Sequence, residues 1–130
     1  MDQEVRSLEG LLEFFLKNYH QKKQLAYLMK CLPITVSFHT NSGNYQITFT
    51  KEQAYFTVGF EKEKYPSFKI YGSNEIIKEL LLGKRKLRLL VSQQELTVKA
   101  SLRTVLMLES IFYLTSKGLE LDDKQLLLTE

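Results

Sequence analysis

The sequence contains few of the residues that usually build covalent or metal-linked sites. Its 130 residues include one cysteine and two histidines. Cys31 cannot form a disulfide within the chain, which agrees with a reducing compartment. Its place on an apolar helical pattern favours a buried thiol over a nucleophile. His20 and His39 fall on different predicted elements, at no metal-ligand spacing from Cys31 or from paired carboxylates, so we expect no metal site and no cofactor.

Long apolar runs and catalytic motifs are also missing. No uninterrupted apolar stretch approaches the roughly 20 residues that span a bilayer, and the acidic, amphipathic N-terminus does not resemble a signal peptide. We therefore expect a cytoplasmic protein. The sequence has no Gly-X-Ser-X-Gly elbow, no phosphate-binding glycine loop and no nucleotide fingerprint, so we expect no enzyme. An active site built from dispersed groups is the alternative that spacing alone leaves open.

Length and composition indicate one ordinary globular domain. Hydrophobic residues make up 44% of the chain and charged residues 25%, which is typical of such a domain. We expect residues 1–33 to form a helical segment, 34–118 the core and 119–130 a tail. The net charge of +3 is too small to indicate an acidic partner. The polar faces of the predicted strands lack a lysine-rich aromatic platform, so nucleic acid is not an expected partner.

Apolar residues recur at every second position between Ile34 and Ala100, which predicts several half-buried strands. Asn41 to Asn44 supply residues that tolerate tight turns, so they predict a hairpin, and Lys51 to Gln53 form a second short link. Short links make neighbouring strands antiparallel. The apolar members of these runs are Ile34, Val36, Phe38, Tyr45, Ile47, Phe49, Ala54, Phe56, Val58, Phe60, Phe68, Ile70, Leu96, Val98 and Ala100. A sheet with one apolar face requires a cover.

Helical spacing dominates before the first strand. It runs from Val5 to Leu32 and ends at Pro33, and a polar stretch from His20 to Gln24 interrupts the apolar stripe. A bend and a break at this stretch are equally open. In the segment from Leu119 to Glu130, Asp122 is a possible cap and is followed by Leu126, Leu127 and Leu128, so the segment predicts either a last short helix or a partly mobile flap.

Three further segments show helical signals. Ser73 is a suitable cap for a helix from Asn74 to Leu82, and Ser101 for one that ends near Ser116. Apolar residues nearly encircle the second of these helices, so we expect it to be buried or to border a cavity. The segment from Lys86 to Val91 alternates well enough for a strand, with a short helix as the competing interpretation.

Motifs from about Ile34 to Leu114 resemble the sterol carrier protein family of non-specific lipid-transfer domains. The resemblance covers roughly two thirds of the chain and depends on the order of its motifs. These motifs are Gly43-Asn44-Tyr45-Gln46-Ile47-Thr48-Phe49, the strand through Phe56 and Val58, Pro66-Ser67-Phe68-Lys69-Ile70, Ser73-Asn74-Glu75-Ile76-Ile77-Lys78-Glu79-Leu80-Leu81-Leu82-Gly83-Lys84, Glu95-Leu96-Thr97-Val98-Lys99-Ala100 and the helix from Leu102 to Leu114.

The resemblance implies an α+β fold: a five-stranded, mostly antiparallel sheet with helices covering one face. It also implies an apolar tunnel for a lipid or fatty acyl ligand, and carriage rather than catalysis. The chain departs from the family pattern at two places. Gln94 and Ala100 stand where the family usually has glycines, and Lys86 to Val91 is compatible with a strand where the family has a helix.

On this interpretation the ligand lies between the sheet and the helices, and a basic residue pair near the tunnel mouth binds its headgroup. Lys84 and Arg85 are the headgroup candidates, although cations at this place also complement a helix dipole. The candidate wall residues are Phe56, Val58, Phe68, Ile70, Ile77, Leu80, Val105, Leu108 and Phe112. Burial of a fatty chain contributes about 0.8 kcal/mol per methylene, so binding needs no specific polar contact.

The alternative function is a protein-interaction or homodimerisation module with a filled core. Phe14 and Phe15 give the N-terminal helix more apolar surface than one sheet face requires. Pairing of two copies and transient contact with a membrane are compatible with either function.

Overall fold

A five-stranded mixed sheet forms the centre of the fold. The computed structural model describes residues 7–29, 32–59 and 65–117. The strands lie in the order β3-β2-β1-β4-β5, and every neighbouring pair is antiparallel except β1 and β4, which are parallel. This confirms the predicted α+β class with a mostly antiparallel sheet. The strands are β1 Ile34–Thr40, β2 Gly43–Phe49, β3 Ala54–Val58, β4 Ser67–Gly72 and β5 Leu96–Lys99.

The alternating pattern sets the register of the sheet. Val36 pairs with Ile47 on one side and Phe68 on the other. A shift of one residue would turn every apolar side chain in a strand to the opposite face, so the register is strongly specified. On the polar face, the central strands are buried as well: Gln46 donates a hydrogen bond to Ser37, with 3.4 Å between Nε2 and Oγ.

Both short links between strands form as predicted. Asn41 and Ser42 are the two turn residues between β1 and β2. The Thr40 hydroxyl closes this turn by donating to the Gly43 carbonyl at 2.7 Å. In the second link, the Thr50 amide donates to the Gln53 carbonyl at 2.8 Å.

The helical segments join the apolar face of the sheet in one core. The described ranges contain four α-helices and one 3₁₀ helix: α1 Leu8–Gln21, the 3₁₀ segment Lys23–Leu28, α2 Asn74–Leu81, α3 Leu87–Ser92 and α4 Leu102–Ser116. None of the helices in these ranges is long and apolar enough to cross a membrane.

The polar stretch from His20 to Gln24 forms a break rather than a bend, because α1 ends before Lys22 and the 3₁₀ segment follows it. Met1 to Arg6, Cys31, Phe60 and the whole tail from Gly118 lie outside the described residues.

Serine caps begin three of these helices, as the sequence indicates for two of them. Ser73 and Ser101 accept hydrogen bonds from the amides of Ile76 and Thr104. Ser7 does the same for α1. Each such bond satisfies one amide that has no partner inside the helix.

The segment after Lys86 is a helix, so its interpretation as a strand is wrong. Leu87 and Leu90 are fully buried while Leu89 is exposed, which is helical rather than alternating spacing. The Glu109 carboxylate, on α4, accepts a hydrogen bond from the Arg88 amide at 3.0 Å. A distant acid therefore supplies the cap that the local sequence lacks.

The glycine position that departs from the family pattern keeps a glycine-like backbone. Gln94 has a φ of 62°, in the left-handed region. It follows the end of α3, where the Glu95 amide donates to the Leu90 carbonyl at 2.9 Å. Helices often end through one left-handed residue, usually glycine. Gln94 therefore adopts a conformation that favours glycine, at a position where the resemblance leads us to expect glycine.

We expect Gln94→Gly to raise the free energy of unfolding by up to about 1 kcal/mol, since glycine adopts a positive φ without a Cβ clash. Urea unfolding followed by circular dichroism measures the change. Ser92→Gly is the matched control, because it places glycine inside the helix, where it lowers stability. Equal effects from the two variants would contradict the argument.

Candidate functional site

Aromatic rings occupy the middle of the interface between sheet and helices, where the tunnel is expected. The ring centroid of Phe112 on α4 lies 5.7 Å from that of Phe15 and 6.1 Å from that of Phe38. The rings of Tyr19 and Phe49 meet edge to face at 5.3 Å. Phe15, Phe38, Phe49 and Phe112 are all fully buried. A ligand would share this space with them or displace them.

Five of the candidate wall residues lie in this core. Ile70, Ile77, Leu80, Leu108 and Phe112 are almost completely buried.

The other four wall candidates are more exposed. Val105 lies at the edge of the core, while Phe56 and Phe68 pack against it and are partly buried. Val58 ends the edge strand β3 and is 59% exposed. The structure therefore brings most of the candidates together in one apolar cluster, with Val58 outside it.

Within the described residues, an open cleft lies outside this cluster, at the break between α1 and the 3₁₀ segment. A cleft of about 680 Å³ separates these elements from the link between β2 and β3. It combines apolar and charged side chains in its walls. They are Tyr19, His20, Lys22, Lys23, Ala26, Tyr27, Met29, Leu32, Thr50, Lys51, Glu52 and Gln53. We call this space the first cleft.

A second cleft of about 580 Å³ lies on the other side of the 3₁₀ segment, against the end of α4. Its walls are Lys22, Gln24, Leu25, Tyr27, Leu28, Leu114 and Lys117. Lys22 and Tyr27 line both clefts, so the 3₁₀ segment is the wall between them. Neither cleft is predicted by the sequence pattern. The polar residues from His20 to Gln24, which interrupt the apolar stripe of the N-terminal helix, are the signal that could have indicated them.

Lys22 fixes this break to the end of α4. Its Nζ donates to the carbonyl of Leu114 at 2.7 Å and to that of Thr115 at 3.2 Å, and it also contacts the Lys117 carbonyl. The last carbonyls of a helix have no partner inside it and carry partial negative charge. A cation from another helix therefore satisfies the end of α4.

Among the buried polar side-chain atoms without a hydrogen-bond partner in the described ranges, three lie on the two segments that Lys22 joins. These three are the Tyr19 hydroxyl, Asn18 Nδ2 and Thr115 Oγ1. Burial raises the pKa of Tyr19, so its hydroxyl stays protonated and can donate. Such groups usually bind water or a ligand. His20, also on the first cleft, accepts a hydrogen bond from the Ala54 amide through Nε2 at 3.0 Å.

The predicted headgroup residues lie away from both clefts. Arg85 pairs with Glu79, with 3.3 Å between Nη1 and Oε1, and with Glu95. The hydrogen bond to Glu95 is the main cause that raises the pKa of Arg85, and the same bond lowers the pKa of Glu95. Lys84 is exposed. The charge of Arg85 is thus already balanced within the protein by two carboxylates.

On the opposite, polar face of the sheet, basic residues surround His39. Lys69 and Lys99 occupy paired positions of β4 and β5. Tyr71 stacks on the His39 ring with 4.3 Å between the ring centroids, and the Lys99 ammonium lies over the Tyr71 ring, 5.3 Å from its centroid. Burial, and then the charges of Lys69 and Lys99, lower the pKa of His39 from 6.5. No group of three or more His, Cys, Asp or Glu side chains suited to a metal ion occurs in the described part of the chain.

Lysine 22 is expected to contribute to stability rather than only to surface charge. Lys22→Met keeps the aliphatic stem and removes the three carbonyl contacts, so we expect the free energy of unfolding to fall by about 1–2 kcal/mol. Lys23→Met is the control, since Lys23 is exposed and adjacent. Chemical denaturation of both variants measures their free energies of unfolding. Equal values would contradict a stabilising contact between Lys22 and the end of α4.

Acidification should destabilise the protein through His39. Because its pKa in the folded chain lies below the ordinary 6.5, the unfolded chain binds the proton more readily, and stability is lost as pH falls through and below 6.5. We expect His39→Gln to flatten the loss of stability between about pH 7.5 and pH 5. Lys99→Gln should flatten it less. Thermal melts across this range test the slope, and an unchanged slope in His39→Gln would contradict the assignment.

Solved structures share this architecture. The sterol carrier protein domain 2 of Helicoverpa armigera superposes with a TM-score of 0.65 at 12% identity, over 90% of this chain and 94% of that chain. For the ubiquinone synthesis protein UbiJ-SCP2 the TM-score is 0.59 at 16% identity, over 83% and 87%. For palmitated SCP2L2 from Aedes aegypti it is 0.58 at 12% identity, over 82% and 95%.

The chain therefore has the fold of the sterol carrier protein domains, as the order of its motifs predicts. The helix α3 removes the departure expected at Lys86 to Val91, and Gln94 has the positive φ that favours glycine. No protein-family model matches the sequence, and no curated protein matches it.

Proposed function

We propose that this protein binds and carries a lipid, of the fatty acyl type or similarly apolar, without catalysis. The fold supports this proposal, since one of the proteins that share it is palmitated and another is a ubiquinone synthesis protein. Palmitate and ubiquinone are both molecules with long apolar chains.

The observation that carries the proposal is the continuity between the first cleft and the core. Tyr19 and Met29 line the cleft and belong to the buried cluster around the sheet. A chain that enters between the 3₁₀ segment and the link from β2 to β3 therefore meets apolar side chains at once. The volume of about 680 Å³ is within the range of small-molecule sites.

The predicted wall residues form the second part of this path. A ligand that passes Tyr19 reaches Phe49 and then the rings of Phe15, Phe38 and Phe112. We propose that these rings move apart to admit the apolar tail between the sheet and α4, where Ile70 and Leu108 would contact it. Each methylene that leaves water contributes about 0.8 kcal/mol, which offsets the cost of repacking.

The first test is chemical. The protein is purified without detergent, extracted with organic solvent and analysed for copurifying lipid by mass spectrometry. The stripped protein is then titrated with a fluorescent fatty acid. Saturable binding supports the proposal, whereas the absence of both copurified lipid and saturable binding would refute it.

A variant that fills the cleft should block entry. Ala26 lines the first cleft and is partly buried, so Ala26→Trp places an indole in the opening. We expect the affinity for the fluorescent fatty acid to fall about tenfold or more, which corresponds to about 1.4 kcal/mol. Thr97→Trp is the control, because Thr97 is exposed on β5, on the polar side of the sheet. Equal affinities of the two variants would contradict entry by this route.

The closed aromatic core also favours a second candidate, an interaction or homodimerisation module. Although apolar residues nearly encircle α4, part of its surface is open to solvent: Leu102 is 68% exposed, and Leu106 and Tyr113 are exposed too. Light scattering of the lipid-stripped protein tests this candidate. A dimer that Leu106→Ser dissociates, together with no lipid binding, would favour it.

A further inference from the structure

The 3₁₀ segment between the two clefts presents an apolar tip to solvent. Tyr27 is 83% exposed, more than any other large apolar side chain in the described ranges, and its neighbour Leu28 is 45% exposed. Leu25 and Met29, on either side of this pair, are buried. The segment is thus anchored in the core at both ends while its middle projects outward. Exposed apolar tips of this kind often mark an interaction site.

Basic residues surround this tip. Lys23, Lys51 and Lys117 line the two clefts and are all exposed. Among the described lining residues Glu52 is the single carboxylate. Lys22 adds a fourth cation beside them, although its Nζ is held by the carbonyls at the end of α4. The area around Tyr27 therefore carries a local excess of positive charge.

We infer that Tyr27 and Leu28 dock on an anionic membrane surface, with Lys23, Lys51 and Lys117 against the lipid headgroups. Tyrosine prefers the boundary between headgroups and acyl chains, because its ring is apolar and its hydroxyl is polar. Lysine side chains extend their ammonium groups to the same level and are attracted to anionic lipids. This arrangement fits an anionic membrane better than a protein partner, because lysine is depleted in protein interfaces.

This docking surface extends the proposed function and rests on it. Both clefts open beside Tyr27, so a lipid would pass between the bilayer and the first cleft without crossing water. The other exposed apolar surface, at Leu102 and Leu106 on α4, contributes no side chain to either cleft. Glu109 on α4 places a carboxylate near that surface, where it accepts from the Arg88 amide.

The experiment measures cosedimentation of the lipid-stripped protein with vesicles of phosphatidylcholine, with and without phosphatidylserine. We expect binding to the anionic vesicles alone, and weaker binding at high salt because charge attraction is screened. Tyr27→Ser combined with Leu28→Ser should lower the bound fraction about tenfold or more, since it removes the inserted apolar area. Lys23→Gln and Lys51→Gln should each lower the affinity about fivefold.

The matched control is Leu102→Ser combined with Leu106→Ser, which removes exposed apolar side chains from α4. Circular dichroism checks that both double variants are folded. Unchanged vesicle binding in Tyr27→Ser/Leu28→Ser, an equal loss in the control, or no binding to either vesicle would overturn the inference. So would a protein dimer that Tyr27→Ser/Leu28→Ser dissociates, because the tip would then be a protein contact.

The fatty-acid titration separates the two proposals. Vesicle binding needs no bound ligand, so a protein that binds anionic vesicles but neither copurifies with lipid nor binds the fluorescent fatty acid would refute lipid carriage and retain the docking surface. A protein that binds the fatty acid but no vesicle would do the opposite.

Discussion

The contact between Lys22 and the end of α4 determines how the N-terminal segment covers the sheet. It holds the chain where α1 stops, so the following 3₁₀ segment cannot continue the line of the helix. Two consequences depend on this offset. Space opens on each side of the 3₁₀ segment, and Tyr27 turns outward while Leu25 and Met29 stay in the core. The location of the candidate site is therefore a result of one interrupted helix.

The strands and most helices could be predicted because their signals are local. Alternation from Ile34 to Phe49 sets both the faces and the register, and serines mark the starts of α2 and α4. The helix α3 was ambiguous because its cap comes from Glu109, which is distant in sequence. The parallel pairing of β1 with β4 could not be predicted either, because the order of strands along the chain does not determine which of them become neighbours in the sheet.

The candidate site was less predictable than the fold. Apolar patterning correctly indicated that residues such as Ile77 and Leu108 are buried, but a side chain that lines a cavity and one that fills a core belong to the same residue types. The clefts instead depend on the offset at Lys22 and on the volume left beside Ala26, which are tertiary properties. The headgroup residues illustrate the same difficulty, since Arg85 pairs with Glu79 on α2 and with Glu95 in the turn before β5.

The contact between Lys22 and the end of α4 also affects how the sequence can vary. Its partners at the end of α4 are main-chain carbonyls, which every amino acid possesses. Substitution of the side chains at Leu114, Thr115 or Lys117 would leave these acceptors in place. The connection between Lys22 and α4 therefore constrains the residue type at one position only, and substitutions at the end of α4 can accumulate without loss of this connection.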